Sequence, residues 1–73
     1  MPWERNVFST MVSSVAHNED EENPEMTITF AKGGVYVYEG VPEAVANQLS
    51  HAPSVGGMFL SDIKGQYQFR RVG

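Results

Sequence analysis

Three short stretches of this chain carry residues able to do chemistry. The first is Ser54-Val55-Gly56-Gly57, which follows Pro53 and opens an apolar-periodic run. Serine in that place is a good helix N-cap. The first N–H groups of a helix lack intrahelical partners and carry partial positive charge, so they favour an anion. Gly56 and Gly57 would let a phosphate approach the backbone closely. The plainer role of the same residues is a cap followed by two glycines that permit tight packing.

The second stretch is Val35-Tyr36-Val37-Tyr38. Residues two apart in a strand share a face. If that face is open, Tyr36 and Tyr38 form an aromatic platform, on which bases stack with about 1–3 kcal/mol each. Otherwise they cover a core against helices or a partner subunit. The third stretch holds Lys64, Tyr67, Arg70 and Arg71, the main basic cluster, with aromatics interleaved. In an extended arm Tyr67, Phe69 and Arg71 face one way and Arg70 the other. Arginine pairs bidentately with phosphate. A solvated tail is the alternative.

None of these patterns is catalytic. Ser54, His51 and Asp62 are a serine, a histidine and a carboxylate, but no oriented base–carboxylate geometry follows from their spacing. The expectation is a chain that is not an enzyme and uses no cofactor. Cysteine is absent, and His17 and His51 lack the spacing of a zinc site, so no metal site is expected. The acidic run of residues 18–25 lacks the glycine and ligand alternation of a calcium loop and reads as a solvated connection.

Charge narrows the partners. The net charge is −4, with nine acidic and five basic residues. Five of the acids are Glu19, Asp20, Glu21, Glu22 and Glu25, and the remainder of the chain is close to neutral. An acidic chain is poorly suited to hold a long polyanion by charge, a mode that needs many lysine and arginine contacts. A local site for one or two phosphates is not excluded. No apolar run reaches the roughly 18 residues of a membrane span and no leader opens the chain, so the expectation is a soluble cytoplasmic protein with no membrane partner. Its 73 residues make one domain, small enough that homo-oligomerisation is expected to add stability.

The elements that must position these residues follow from hydrophobic period. Residues 1–10 form an N-terminal extension in which Trp3 and Phe8 either cover an edge of the core or belong to a subunit interface. Residues 11–17 read as a strand, and residues 26–30 alternate cleanly with Met26, Ile28 and Phe30 on one face. Ala31-Lys32-Gly33-Gly34 is a turn, and residues 35–39 are the return strand. A two-residue loop at 32–33 would set Val35 and Val37 with the apolar face and point Tyr36 and Tyr38 away. A three-residue loop would reverse this, since a one-residue slip flips every side chain. The two-residue loop is expected, because it matches all the apolar residues of both strands. Val41-Pro42-Glu43 starts a first helix with Val45, Leu49 and Ala52 as its stripe. A second helix after Ser54 buries Val55, Phe59, Leu60 and Ile63, and Gly65 is its C-cap.

Taken together, Gly33-Gly34-Val35-Tyr36-Val37-Tyr38, Gly40-Val41-Pro42, Ala52-Pro53-Ser54-Val55-Gly56 and Ile63-Lys64-Gly65-Gln66-Tyr67-Gln68-Phe69-Arg70-Arg71 resemble the KTSC domain family. The resemblance covers roughly residues 12–71. That family is named for the C-terminal segment of some lysyl-tRNA synthetases and includes small free-standing bacterial and phage proteins. It implies an α+β fold of a small antiparallel sheet with two helices; the residues themselves read as a three-stranded sheet, with a short fourth strand or an extended arm at the C-terminus, packed with two helices. The synthetase context implies RNA binding. The acidic loop and the doubled Gly56-Gly57 depart from the family pattern.

The functional expectation is a non-catalytic binding module for a nucleotide-like anion. Its concrete form is an oligomeric sponge that sequesters a signalling cyclic nucleotide, in the host cytoplasm if phage-encoded. Tyr36 and Tyr38 would stack a base, Ser54 and Gly56 would take phosphate, and Lys64, Tyr67, Arg70 and Arg71 would close the site. The alternatives are an RNA-binding module and a protein-interaction or structural module.

Overall fold

The structure, a computed structural model, describes residues 2–73. It is an α+β fold with a five-stranded antiparallel meander, its strands in sequence order across the sheet: β1 (Trp3–Asn6), β2 (Val12–His17), β3 (Glu25–Phe30), β4 (Val35–Glu39) and β5 (Phe69–Arg71). The expected sheet of three strands is therefore too small. The C-terminal segment does pair, placing Phe69 opposite Tyr38 and Arg71 opposite Tyr36. The N-terminal extension supplies the other edge, with Trp3 opposite His17 and Arg5 opposite Val15. Its four residues are too few to show a period above noise. Trp3 is half-buried and stacked on His17, whereas Phe8 is fully exposed and covers nothing within the chain.

The β3–β4 register corrects the expected one. Ile28 lies opposite Tyr36 and Met26 opposite Tyr38, while Val35 and Val37 face Thr29 and Thr27. The Phe30 N–H donates to the Gly34 carbonyl and the Gly33 N–H to the Phe30 carbonyl, each at 3.0 Å. Ala31-Lys32-Gly33 is thus a three-residue loop. Gly33 and Gly34 have φ of 100° and 95°, a region where other residues are strained. A glycine of that hand at the last loop position, Gly33, suits a three-residue loop. Burying tyrosine removes more apolar surface from water than burying valine, and the helices lie on the tyrosine side. The other face is mainly polar, with Thr27, Thr29, Glu4, Glu25, Glu39 and Arg70 around Val35 and the buried Val37.

Two helical segments cover the apolar face. Helix α1 (Glu43–Ser50) begins after Pro42, whose extended backbone starts the turn. Ala46 and Leu49 are its buried residues, with Val45 and Ala52 half-buried beside them. Arg5 of β1 ties α1 down, donating to Asn47 Oδ1 at 2.6 Å and Ser50 Oγ at 3.0 Å. Helix α2 (Val55–Met58) runs directly into a π-helical turn, Phe59–Ile63, closed by the Lys64 N–H donating to the Phe59 carbonyl at 2.9 Å. The wider turn keeps Phe59 and Ile63 in the core but leaves Leu60, expected inside, half exposed. Gly65 follows at a φ of 83° and lets the chain reverse toward β5. The fully buried centre is Val12, Val15, Met26, Ile28, Val41, Leu49 and Ile63.

One polar side chain is built into this core. His17 Nδ1 accepts from the Glu19 N–H at 2.8 Å, so Nε2 carries the proton and donates to the Val41 carbonyl at 2.7 Å. That pair joins the end of β2 to the start of α1. The acidic loop beyond it is ordered by its own side chains: Asn18 Oδ1 accepts from the Asp20 and Glu25 N–H groups, and Asp20 Oδ1 from those of Glu22 and Asn23.

Candidate ligand-binding site

The open part of the helix-covered face is a groove of about 440 Å³ over the β3–β4–β5 end of the sheet. Tyr36 and Tyr38 of β4 and Phe69 of β5 form its sheet side; Phe59, Leu60 and Lys64 come from the π-helical turn and its end. Met11 and Phe30 complete the apolar wall, and no carboxylate lines it. That volume lies within the range of small-molecule sites. The register decides all of this: with the two-residue loop the tyrosines would have stood on the polar face.

The rings are packed against each other. Phe30 meets Tyr36 edge-on at 5.4 Å between centroids, and Phe59 meets Phe30 at 5.3 Å and Tyr38 at 5.6 Å, also edge-on. Phe69 leans over both tyrosines, at 5.7 Å from Tyr36 and 5.5 Å from Tyr38. Such pairs add about 0.5–1.5 kcal/mol each beyond their buried area. The tyrosines are therefore walls of a groove rather than an open platform. The ring with most free surface is Phe69, at 58% exposure. Tyr38 is 5% exposed, and burial pushes its phenol above the usual tyrosine range, with Tyr36 adding to the rise.

Of the eight residues singled out in the sequence, the groove gathers Tyr36, Tyr38 and Lys64. Arg71 stands at its margin, with its guanidinium 5.9 Å from the Tyr36 ring and its Nε donating to the Gly73 carbonyl at 2.9 Å. The other four lie elsewhere. Arg70 points to the polar face, where it pairs with Glu25 at 3.3 Å and Glu39 at 3.2 Å, and the hydrogen bond to Glu25 is the first reason its pKa is raised. Tyr67 lines a separate cleft with Ser61, Asp62 and Gln66. Ser54 is occupied as a cap, its Oγ accepting from the Gly57 N–H at 3.2 Å. Gly56 lies against Met11 and Ser9; a Cβ there would stand 3.5 Å from the Met11 Cβ. That is ordinary contact, and both residues line a separate cleft of about 330 Å³ with Ser9, Met11 and Gly57, away from the aromatic groove. Ser54, His51 and Asp62 each hydrogen-bond to other groups and do not assemble.

Sequence reasoning missed Met11, Phe30, Phe59, Leu60 and Phe69 as groove residues. Phe30 and Phe59 read as core, which they also are. Their second role follows only from the π-helical turn and from β5, and neither has a sequence signature. Phe69 was legible in part, because the alternation of residues 66–71 places it on the face of Arg71.

An antiparallel meander whose one face carries two short helical segments, the second widened to a π turn beside an aromatic groove, defines a small α+β domain. The KTSC domain family model matches residues 8–67, and the chain belongs to that family. The crystal structure of a KTSC domain protein from Yersinia pestis has the same fold: it matches with a TM-score of 0.86 and 32% identity over 100% of both chains. The lysine–tRNA ligase of Nostoc punctiforme is 38% identical over 53 residues, or 73% of this chain and 9% of the ligase. That of Nostoc sp. is 33% identical over 57 residues, or 78% of this chain and 10% of the ligase. The chain thus spans about a tenth of the length of these relatives. Strands β1 and β5 flank the segment matched by the family model, which holds β2–β4 and both helical segments.

Proposed function

We propose that this protein is a non-catalytic binding module for a small, planar, anionic ligand of the nucleotide class, held in the aromatic groove. The carrying observation is the composition of that groove: aromatic rings and Lys64 with no carboxylate, on a chain of net charge −4. Ring faces and edges favour a planar heterocycle, and a lysine with no competing acid favours an anion. The site is displaced from the one expected in the sequence. Phe69 supplies the exposed ring, Lys64 and Arg71 supply the charge, and Ser54, Gly56, Tyr67 and Arg70 have no part in it.

Sequestration of a cyclic nucleotide by a homo-oligomer is the concrete form of this reading. Phe69 and Leu60 remain more than half and about half exposed at the groove, so a ligand seated there still has apolar surface to cover. A second subunit would cover it. The test is native mass spectrometry and calorimetry of the purified protein with AMP, GMP, cyclic di-AMP, cyclic di-GMP and a cyclic trinucleotide. Micromolar binding that Lys64→Gln weakens is expected. No binding of any of these at micromolar concentration refutes the reading.

RNA binding is the second reading, and the lysine–tRNA ligase relatives are what favour it. It requires affinity for RNA at low salt that falls steeply as salt rises.

A further inference from the structure

Tyr38 has an incompletely used side chain. At 5% exposure it is among the buried residues, and its ring is held by Phe59 and Phe69. Yet its hydroxyl makes no hydrogen bond to any described residue. Buried tyrosine hydroxyls ordinarily find a partner. The oxygen is not sealed in the core either, since Trp3 Nε1 is the one fully buried, unpartnered side-chain polar atom among the described residues. Tyr38 itself is one of the residues that line the aromatic groove. A hydroxyl without an internal partner, on a nearly buried residue that lines a groove with a cation and no acid, is the arrangement of a ligand contact.

We propose that the Tyr38 O–H is the specificity-determining donor of this groove: it takes a hydrogen-bond-accepting oxygen or ring nitrogen of a planar anionic ligand whose charged group lies toward Lys64. This rests on the nucleotide-class reading and adds a polar requirement to it. A ligand that fills the groove without an acceptor at its inner end leaves the phenol stripped of water and unpaired, which costs more than a formed bond returns. Selection therefore works by rejection as much as by attraction. The neighbouring Tyr36 hydroxyl is likewise without a partner among the described residues and stands on the same face, two residues away. The pair would discriminate acceptor-bearing rings from apolar ones of the same size.

The test is Tyr38→Phe, with the thermal midpoint and the affinity for the same nucleotides measured on the same sample. Removing a hydroxyl that has no internal partner is expected to leave the midpoint within a degree or two of the parent. Affinity for the nucleotide that the parent binds is expected to fall about 10- to 100-fold, the effect of deleting one donor to an anionic or strongly polar acceptor. Equal affinity in parent and variant overturns the proposal and leaves the nucleotide reading standing. Absence of binding in the parent removes both. A midpoint lowered by many degrees would mean that the hydroxyl is used inside the fold, and it would overturn the proposal whatever the affinity.

Discussion

Ser54 and Gly57 offer a direct test of whether the start of α2 is a site or a cap. Ser54 Oγ accepts from the Gly57 N–H at 3.2 Å, and a Cβ added to Gly57 would stand 2.8 Å from that same Oγ. Ser54→Ala should cost about 1 kcal/mol, the usual loss for an N-cap serine. In a domain of this size that is roughly 4–8 °C of thermal midpoint. Gly57→Ala brings two opposed effects. Alanine is favoured over glycine in a helix by up to about 1 kcal/mol. The new methyl, however, displaces the cap oxygen, returning about the same amount. The single variant should therefore be near neutral. In the Ser54→Ala background the obstacle is gone, because the Ser54 Cβ lies at an ordinary 3.5 Å. There Gly57→Ala should recover most of the loss. The double-mutant cycle then carries a coupling of about 1 kcal/mol between neighbours. Urea titration followed by circular dichroism and by Trp3, the single tryptophan, gives all four stabilities. A coupling near zero would refute the cap geometry. Ser54→Ala that keeps full stability but loses nucleotide binding would return Ser54 to the site.

Three further outcomes follow from the geometry. One of the three tyrosines should ionise above the ordinary tyrosine range in an ultraviolet titration; since folding raises the Tyr38 pKa, its contribution to stability is whole below the unfolded value near 10 and is lost as pH rises through the folded one, and a titration in which all three ionise normally would contradict the burial of Tyr38. Gly34→Ala should destabilise by about 1–3 kcal/mol in a urea melt, because φ there is 95° and the new Cβ would press on the Tyr36 ring at 3.3 Å; a neutral result would argue for the shorter loop. Leu49→Ala, at a fully buried position of α1, should cost about 2–5 kcal/mol by the same measurement, enough to leave the domain partly unfolded at rest.

Periodicity carried the centre of the fold and little of its margins. Met26, Ile28 and Phe30 alternate with threonines, so β3 was readable without its neighbours. Pro42, Ser54 and Gly65 mark helix boundaries by stereochemistry alone; Ser54 and Gly65 stand where that chemistry puts them, and Pro42 is one residue early, at the N-cap rather than in the first turn. Register was harder. Both Val35 and Val37 and Tyr36 and Tyr38 are good strand residues, and alternation cannot say which pair faces in. The deciding quantity is loop length, set by two glycines that allow either turn. The edges failed for a different reason. β1 has four residues and β5 three, and each is defined by its partner strand more than by its own pattern. The site inherited both problems. Residues whose place depended on local stereochemistry, such as Ser54 at its helix cap, stand where expected, but away from the aromatic groove. Tyr36 and Tyr38 stand on the face opposite to the one expected.

The groove itself is a consequence of unequal cover. Five strands about 4.8 Å apart make a sheet roughly 19 Å wide, whereas a helix with its side chains is about 10 Å across. Helix α1 packs on the β2 side and is tied to β1 by Arg5. The π-helical turn reaches Phe30 and Tyr38 but not the outer strand. The cover runs out at β5, and Phe69 is left with an open ring face. Deleting β5 would not close the groove; it would strip Phe69 from the tyrosines and expose β4 as a new edge. The groove's exposed ring, Phe69, thus comes from outside the segment matched by the family model, while the core and the remaining groove walls come from within it. On the proposed reading, substitutions in the strand after the helices would alter the groove's exposed ring and leave the core intact. Ligand preference within the family should then follow the residues at positions 69 and 71 more closely than those of the core.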